Sequence, residues 1–403
     1  MPSDPRPRVS ALCPSWGGTD EAAWSVRQVL GALATAAKVT VITPAGSEPR
    51  SFSDGVFVVE EHATRSPTAT LQAKLILGGF ARSGHRLRDE ATLRHRLQEP
   101  WSRALRGTAA DPPDLVVTVD CLEPGATFAA GARWPGAPVV SMPLLISEEL
   151  RGVAMVAEPL RHASAMIAFS AREAARVGEL GARGGVLEVR LPLSDDPSAL
   201  RQPHELVGSS DYMLVVATQC RAADRARASG LARLLLARFE ARRIVVASRD
   251  RITLCMPEPQ VAPAVTGGSD LRRLIAWASV TVDLSAPQVF GRRTLESFLY
   301  STPVIVPSGT PGAEHARSGS GGLWFASTTE LFGCVEALLE DGRRGTALGR
   351  QGYDYATAWV RPTGAFIQDI LSFVSKASGM ALVRNSRGGS GAQGREAAQS
   401  PIK

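Results

Sequence analysis

The chain has 403 residues, of which 44% are hydrophobic and 21% charged; at roughly 150 residues per domain this suits two or three globular domains and excludes a disordered or fibrous chain. The formal charge is +6, but Arg384, Arg387, Arg395 and Lys403 against Glu396 put +3 of it in the tail 384–403, which leaves the body too little excess for a nucleic-acid groove. Five dispersed cysteines without a CxxC or Cys/His cluster give no sign of a zinc site or a redox pair, and no apolar run reaches the ~18 residues of a membrane span.

In chain order, short apolar runs alternate with Ala-, Leu- and Arg-rich stretches of helical period. Strands are expected at 9–13, 39–43, 56–60, 115–120, 139–142, 166–170 and 187–191, with helices at 22–36 and 171–180. The proline-containing stretch 192–210 reads as a hinge. Beyond it, strands are expected at 212–217, 244–248, 261–265, 280–284, 304–307 and 322–325, with helices at 228–239, 271–278, 294–299, 329–339 and 362–375. Strands this apolar fit parallel sheets covered on both faces, and two runs of βα units read as two doubly wound, Rossmann-like domains. The Gly- and Ser-rich tail after Gly379 has too little apolar surface to fold. The N-terminus lacks the apolar segment of a secretory signal, so a cytoplasmic protein with reduced thiols is expected.

Three strand-to-helix loops carry candidate chemistry. The first, Cys13 to Thr19, includes Gly17 and Gly18, small enough to let the backbone approach a phosphate or sugar, although turn glycines without a ligand read equally well. The second, Ser285 to Glu296, places Gly291 at a helix start, where backbone N–H groups can face an anion, and Glu296 in the early turns, as a hydroxyl acceptor or as a dipole complement. The third is Pro307 to Glu314, a ligand loop or a plain turn. The only lysines are Lys38, Lys74, Lys376 and Lys403, so chemistry needing a lysine between 75 and 375 is closed to this chain. The segment 72–107 is rich in arginine, with leucines and Trp101 at helical spacing after about Gly84. It reads as a solvated amphipathic helix, with peripheral contact to an anionic membrane through 85–107 as the functional alternative.

The stretch Ser285 to Glu296, followed by Ser301-Thr302-Pro303-Val304-Ile305, Gly309 to Glu314 and Gly321-Gly322-Leu323, resembles the pattern of the retaining GT-B glycosyltransferases of group 1, family 4. Pro14 to Glu21 and Val39 to Pro44 resemble that family's glycine-rich opening, and the likeness spans most of residues 9–375. It implies two domains facing a cleft, 1–200 on the acceptor side and 201–360 on the nucleotide-sugar side, with a helix at 361–379 crossing back to the first domain and a disordered tail at 380–403. A nucleoside-diphosphate sugar would be the donor, with no separate cofactor and no metal. Glu296 would hold the ribose, the amides around Phe290, Gly291 and Arg292 would face the diphosphate with Thr294 and Leu295 nearby, and Gly17 and Gly18 would close from the first domain. The acceptor, a glycan, lipid or small molecule, is not readable.

The chain departs from that pattern at three places. Gln288 stands where the family carries its first glutamate, which keeps hydrogen bonding and loses charge. No lysine follows the first strand of the second domain, so Arg221 or Arg225 would have to clamp the diphosphate. Pro143-Leu144-Leu145 stands where relatives place a histidine, and the six histidines of the chain, His315 among them, read as surface residues. Gln288, Arg221 and Arg225 are therefore the catalytic candidates. Glycosyl transfer with retention is the expected function, and a GT-B-like binding or auxiliary protein without turnover is the alternative. A dinucleotide-dependent oxidoreductase is disfavoured because no GxGxxG with a following acid is present.

Overall fold

The computed structural model describes residues 6–13, 21–43, 57–61, 98–99, 101–102, 104–106, 112–119, 125–144, 160–193, 197–205, 207–208, 212–217, 222–239, 243–248, 252–255, 260–262, 268–285 and 288–383. Its first half builds a seven-stranded sheet in the order β3-β2-β1-β4-β5-β6-β7, every neighbouring pair parallel. The strands are β1 (Arg8–Leu12), β2 (Lys38–Thr43), β3 (Phe57–Glu61), β4 (Leu115–Val119), β5 (Val139–Met142), β6 (Ala165–Ala168) and β7 (Gly185–Glu188). β4 reads LVVTV, β5 VVSM and β6 AMIA, and every one of these residues is buried, as strands covered on both faces require. The helix α1 (Glu21–Ala34) turns Val26, Val29, Leu30 and Leu33 inward at the three-to-four spacing of one helical stripe. α2 (Gly125–Arg133) follows β4, and α3 (Ala171–Glu179) follows β6. Ser170 caps α3 by accepting the Glu173 N–H, while Glu173 Oε2 accepts the Phe169 N–H at 2.7 Å, a reciprocal closure of the helix start.

The second half repeats the plan in the order β11-β10-β9-β8-β12-β13-β14. β8 (Met213–Ala217), β9 (Ile244–Ser248), β12 (Val280–Asp283), β13 (Val304–Pro307) and β14 (Gly322–Phe325) are parallel, whereas β10 (Ile252–Cys255) and β11 (Gln260–Ala262) finish the edge antiparallel. The helices are α4 (Ala222–Arg238), α5 (Gly268–Trp277), α6 (Arg292–Leu299), α7 (Pro311–Ser318), α8 (Thr328–Glu340) and α9 (Gly342–Trp359). The last helix, α10 (Thr363–Ser378), packs against α1 and β5, and its Phe366, Ile370, Leu371 and Val374 share one apolar cluster with Val26, Val29 and Leu30. That cluster continues into the second half through Phe290, Phe298 and Trp359. Among the described residues, no helix is long and apolar enough to cross a membrane.

Besides α2, three elements fall outside the sequence expectations. β10 pairs as a hairpin with β9, Ile252 opposite Ala247. α7 occupies what reads as a ligand loop: Thr310 caps it by accepting the Ala313 N–H, and Pro311 opens its first turn. α9 runs eighteen residues through a glycine-rich stretch, with Asp341 Oδ1 accepting the Arg343 and Arg344 N–H groups at 3.1 Å each. Its glycines are a packing device. A Cβ on Gly352 would lie 2.5 Å from Phe298 Cδ1, and one on Gly349 would lie 2.0 Å from the Ser301 carbonyl oxygen, so larger residues would push α9 off α6.

Candidate functional site

In each sheet the strand order reverses beside the first strand, β1 between β2 and β4 and β8 between β9 and β12. At such a point the loops leave the carboxyl ends of neighbouring strands in opposite directions and open a crevice. The first domain sends α1 from this edge, beginning at Glu21. The second sends the loop after β12, which ends at Asp283 and enters α6 at Arg292. These two segments meet.

The loop is shaped for an anion. Gly291 takes φ 75°, ψ 41°, in the left-handed region, and a Cβ there would lie 2.7 Å from the Gly312 nitrogen. With Gly291 in this conformation, the N–H groups of Val289, Phe290 and Gly291 converge on one point just ahead of α6. Glu21 occupies that point. Its Oε1 accepts all three, at 2.9, 2.6 and 3.0 Å, and the residue is 1% exposed. Burial pushes the Glu21 carboxyl up to about 7; the amides of Phe290 and Val289 and the Arg292 guanidinium pull the other way, and Asp283 adds to the rise. Asp283 is itself raised to about 6 by burial, against the hydrogen bonds it takes from Ser285 and the charge of Arg293.

Gln288 joins the loop to its surroundings. Its Nε2 donates to Asp283 Oδ2 and its Oε1 accepts the Gly312 N–H, both at 3.0 Å. The side chain thus ties the end of β12 to the start of α7. Glu296, one and a half turns into α6, is 2% exposed. Arg292 Nε donates to its Oε1 at 2.7 Å and Arg293 donates to its Oε2. Burial alone would raise this carboxyl, but Arg292, Arg293 and Arg272 outweigh it and hold it at about 2, fully ionised. The Arg292 guanidinium also lies 4.1 Å over the Trp24 ring of α1, and Trp24 stacks on Phe290 at 5.9 Å.

Behind the loop, His315 Nε2 bonds the Phe290 carbonyl at 2.8 Å and Nδ1 bonds the Tyr355 hydroxyl at 2.9 Å. Burial holds the imidazole down to about 4, with the Phe290 carbonyl opposing. A neutral His315 therefore fixes the peptide whose N–H faces Glu21. This corrects the surface reading of His315, which is buried in α7. A second contact between the domains has Arg172 Nη1 of α3 donating to the Gly309 carbonyl.

Gln288, Phe290, Gly291, Arg292, Thr294, Leu295 and Glu296 thus lie together in one buried cluster. Gly17, Gly18 and Arg221 lie outside the described residues. Arg225 falls in α4, but its side chain lies outside the described residues, as does most of 85–107. Trp101, Ala104 and Leu105 of that segment are buried. Asp283 and Glu21 carry no local signal beyond an acid at a strand end and an acid in a first helical turn.

No protein-family model matches the chain, and no curated protein matches it. Solved structures do. The chain is similar to sucrose-phosphate synthase from Thermosynechococcus elongatus, with TM-score 0.63 and 14% identity over 92% of this chain and 99% of that one. It is similar to HepE of Anabaena, solved with UDP and glucose, with TM-score 0.59 and 14% identity over 92% and 100%. It is also similar to a UDP-forming trehalose-phosphate synthase from Burkholderia vietnamiensis, with TM-score 0.61 and 9% identity over 93% and 100%. Likeness at these identities speaks to the fold: the chain has the GT-B arrangement of two Rossmann-like domains.

Proposed function

We propose that the chain is a glycosyltransferase that draws its sugar from a nucleoside-diphosphate sugar, of the retaining family-4 type, with an acceptor yet to be identified. One observation carries the reading: three main-chain N–H groups, of Val289, Phe290 and Gly291, converge at the carboxyl end of β12 in the crevice between the domains and donate to one carboxyl oxygen. Such amides are pre-aimed dipoles that can stabilise a departing diphosphate without reorganising. Arg292, one residue on, supplies a guanidinium beside them, and Arg221 and Arg225 are further candidates for the phosphates. Glu296, kept ionised by its arginines, is an acceptor for ribose hydroxyls. Gln288 keeps the loop at its distance from α7 and offers hydrogen bonds, not charge, to a sugar. Closure of the domains would keep water from the sugar and favour transfer over hydrolysis. The similar fold of HepE, solved with UDP and glucose and with UDP-glucose, supports a nucleotide donor.

The test is nucleotide release from UDP-, GDP- and dTDP-sugars, with and without candidate acceptors, beside binding of the free diphosphates. A working donor site gives saturable binding that Glu296→Ala abolishes, and turnover with at least one sugar. A second reading has a specific observation behind it. Both polar ends of Gln288 are spent on Asp283 and Gly312, and Glu296 is paired at both oxygens. Binding without release of any nucleotide across donors and acceptors would favour a GT-B-like auxiliary protein.

A further inference from the structure

The ligand that fills the amide nest belongs to the chain itself, and it comes from the other domain. We infer that Glu21 is an internal competitor for the donor's phosphoryl group: its carboxyl group fills the Val289–Gly291 nest, and a diphosphate binds by displacing it and parting α1 from α6. The inference rests on the donor reading above and adds a gate to it.

The geometry favours displacement over a permanent joint. All three N–H groups are satisfied by one oxygen of Glu21, so removing a single side chain vacates the whole nest. That side chain stands at the first residue of α1. It withdraws if the domains separate, without unfolding either sheet. Two further contacts part with it: Arg292 over Trp24 at 4.1 Å and Trp24 on Phe290 at 5.9 Å. Withdrawal then uncovers Arg292 beside the amides, in a domain without a lysine. A diphosphate brings more charge and more acceptor oxygens than a carboxylate, so the same amides and guanidinium hold it better.

The charges around Glu21 give the gate a pH sense. Asp283 at the end of β12 repels it, Arg292 and Arg293 of α6 attract it, and His315 of α7, behind the Phe290 peptide, stays neutral above about 4. Burial dominates and raises the carboxyl, so the seated Glu21 prefers its protonated form. Proton uptake therefore holds the gate shut, and ionisation above about 7 loosens it. Nucleotide affinity should rise as pH increases from 5.5 to 8.

The experiment is isothermal titration with UDP, GDP, dTDP and inorganic pyrophosphate on the full chain, its Glu21→Ala variant and its Glu21→Gln variant, with hydrogen exchange of the 289–291 amides read in parallel. Glu21→Ala should bind a nucleoside diphosphate about tenfold or more tightly than the parent, because the competent state no longer has to be freed. Its 289–291 amides should exchange faster without ligand and be protected again by that nucleotide. Glu21→Gln keeps the length and the accepting oxygen but cannot titrate, so its pH profile should keep only the slope due to the ligand's own ionisation and Asp283. Equal or weaker nucleotide binding by Glu21→Ala overturns the gate and leaves the donor reading standing. Pyrophosphate binding more tightly to Glu21→Ala while no nucleoside diphosphate binds either protein overturns the donor reading and keeps the gate. No binding of any probe to either protein overturns both.

Discussion

Two carboxylates a few residues' reach apart are equally hidden from water and titrate in opposite directions. Glu296 lies within one domain, between Arg292 and Arg293, and is held at about 2. Glu21 crosses between domains onto three amides, and is raised to about 7. The difference shows what burial leaves undecided. Full positive charges at 2.7 Å repay the desolvation of a carboxylate, whereas amide dipoles with Asp283 nearby do not. The first contact is a fixed part of the fold. The second is a contact the molecule can give up, and it sits where the fold places ligands.

The largest break in that comparison comes from Glu296. Glu296→Ala leaves two buried guanidiniums without their counter-ion, and the loss of folding stability should be about 3–5 kcal/mol, read from urea midpoints. Its pH sense follows from the lowered carboxyl: the stability it gives is present above about 4.5 and is lost as pH falls toward 2. Glu21 runs the other way. The folded chain holds its proton up to about 7 and the unfolded chain releases it near 4.5, so stability falls as pH rises between them, by at most about 3 kcal/mol. His315 is lowered by burial and opposes this slope, since its neutral form is favoured as pH rises above 4. The Glu21 effect should therefore be read as the difference between the parent and Glu21→Gln from pH 5 to 8. A flat difference would mean that the seated carboxyl is not raised.

How much of this was written locally? The β12 to α6 stretch was legible because its signals are short-range: an apolar strand, a glycine at a turn, an acid in the helix that follows. Both sheets were legible for the same reason, as runs of Val, Ile and Leu bounded by Gly and Pro. α9 was not, because Gly345, Gly349 and Gly352 lower helix propensity, and Gly349 and Gly352 are explained only by the Ser301 carbonyl and the Phe298 ring, some fifty residues away in sequence, that they pack against. α7 starts inside a stretch that reads as a ligand loop or a plain turn, because Gly309 and Gly312 weigh against a helix although Thr310 and Pro311 are ordinary start signals. Glu21 was out of reach for a deeper reason. Its partners lie 268 to 270 residues away, and no pattern in a first helical turn says which amides it will meet. His315 meets Phe290 and Tyr355 under the same limit.

A smaller effect tests the shape of the nest and not its charge. Gly291→Ala keeps every hydrogen-bonding group but places a Cβ at positive φ, 2.7 Å from the Gly312 nitrogen. The strain should cost about 1–3 kcal/mol in stability, read by thermal melting, and should loosen the nest enough for the 289–291 amides to exchange faster. Gly312 stands against Gln288 Oε1 and Thr294 Oγ1, each 2.7 Å from where its own Cβ would be, so the backbone has little room to yield.

The smallest effect isolates the role of solvent. Arg238 of α4 and Glu336 of α8 form the same chemical pair as Arg292 and Glu296, at a similar 2.9 Å, but their side chains are 59% and 37% exposed. Water screens both charges, and two long side chains give up rotamer freedom to meet, so Glu336→Gln should change stability by less than about 1 kcal/mol. Added salt should erase what remains. Set beside Glu296→Ala under the same conditions, it holds the residue pair and nearly the distance constant while burial changes. A large loss at Glu336 would mean that pairing geometry governs both sites. A small one assigns the weight of the α6 cluster to the cost of leaving a charge alone in a dry interior, the same cost that keeps Glu21 ready to leave.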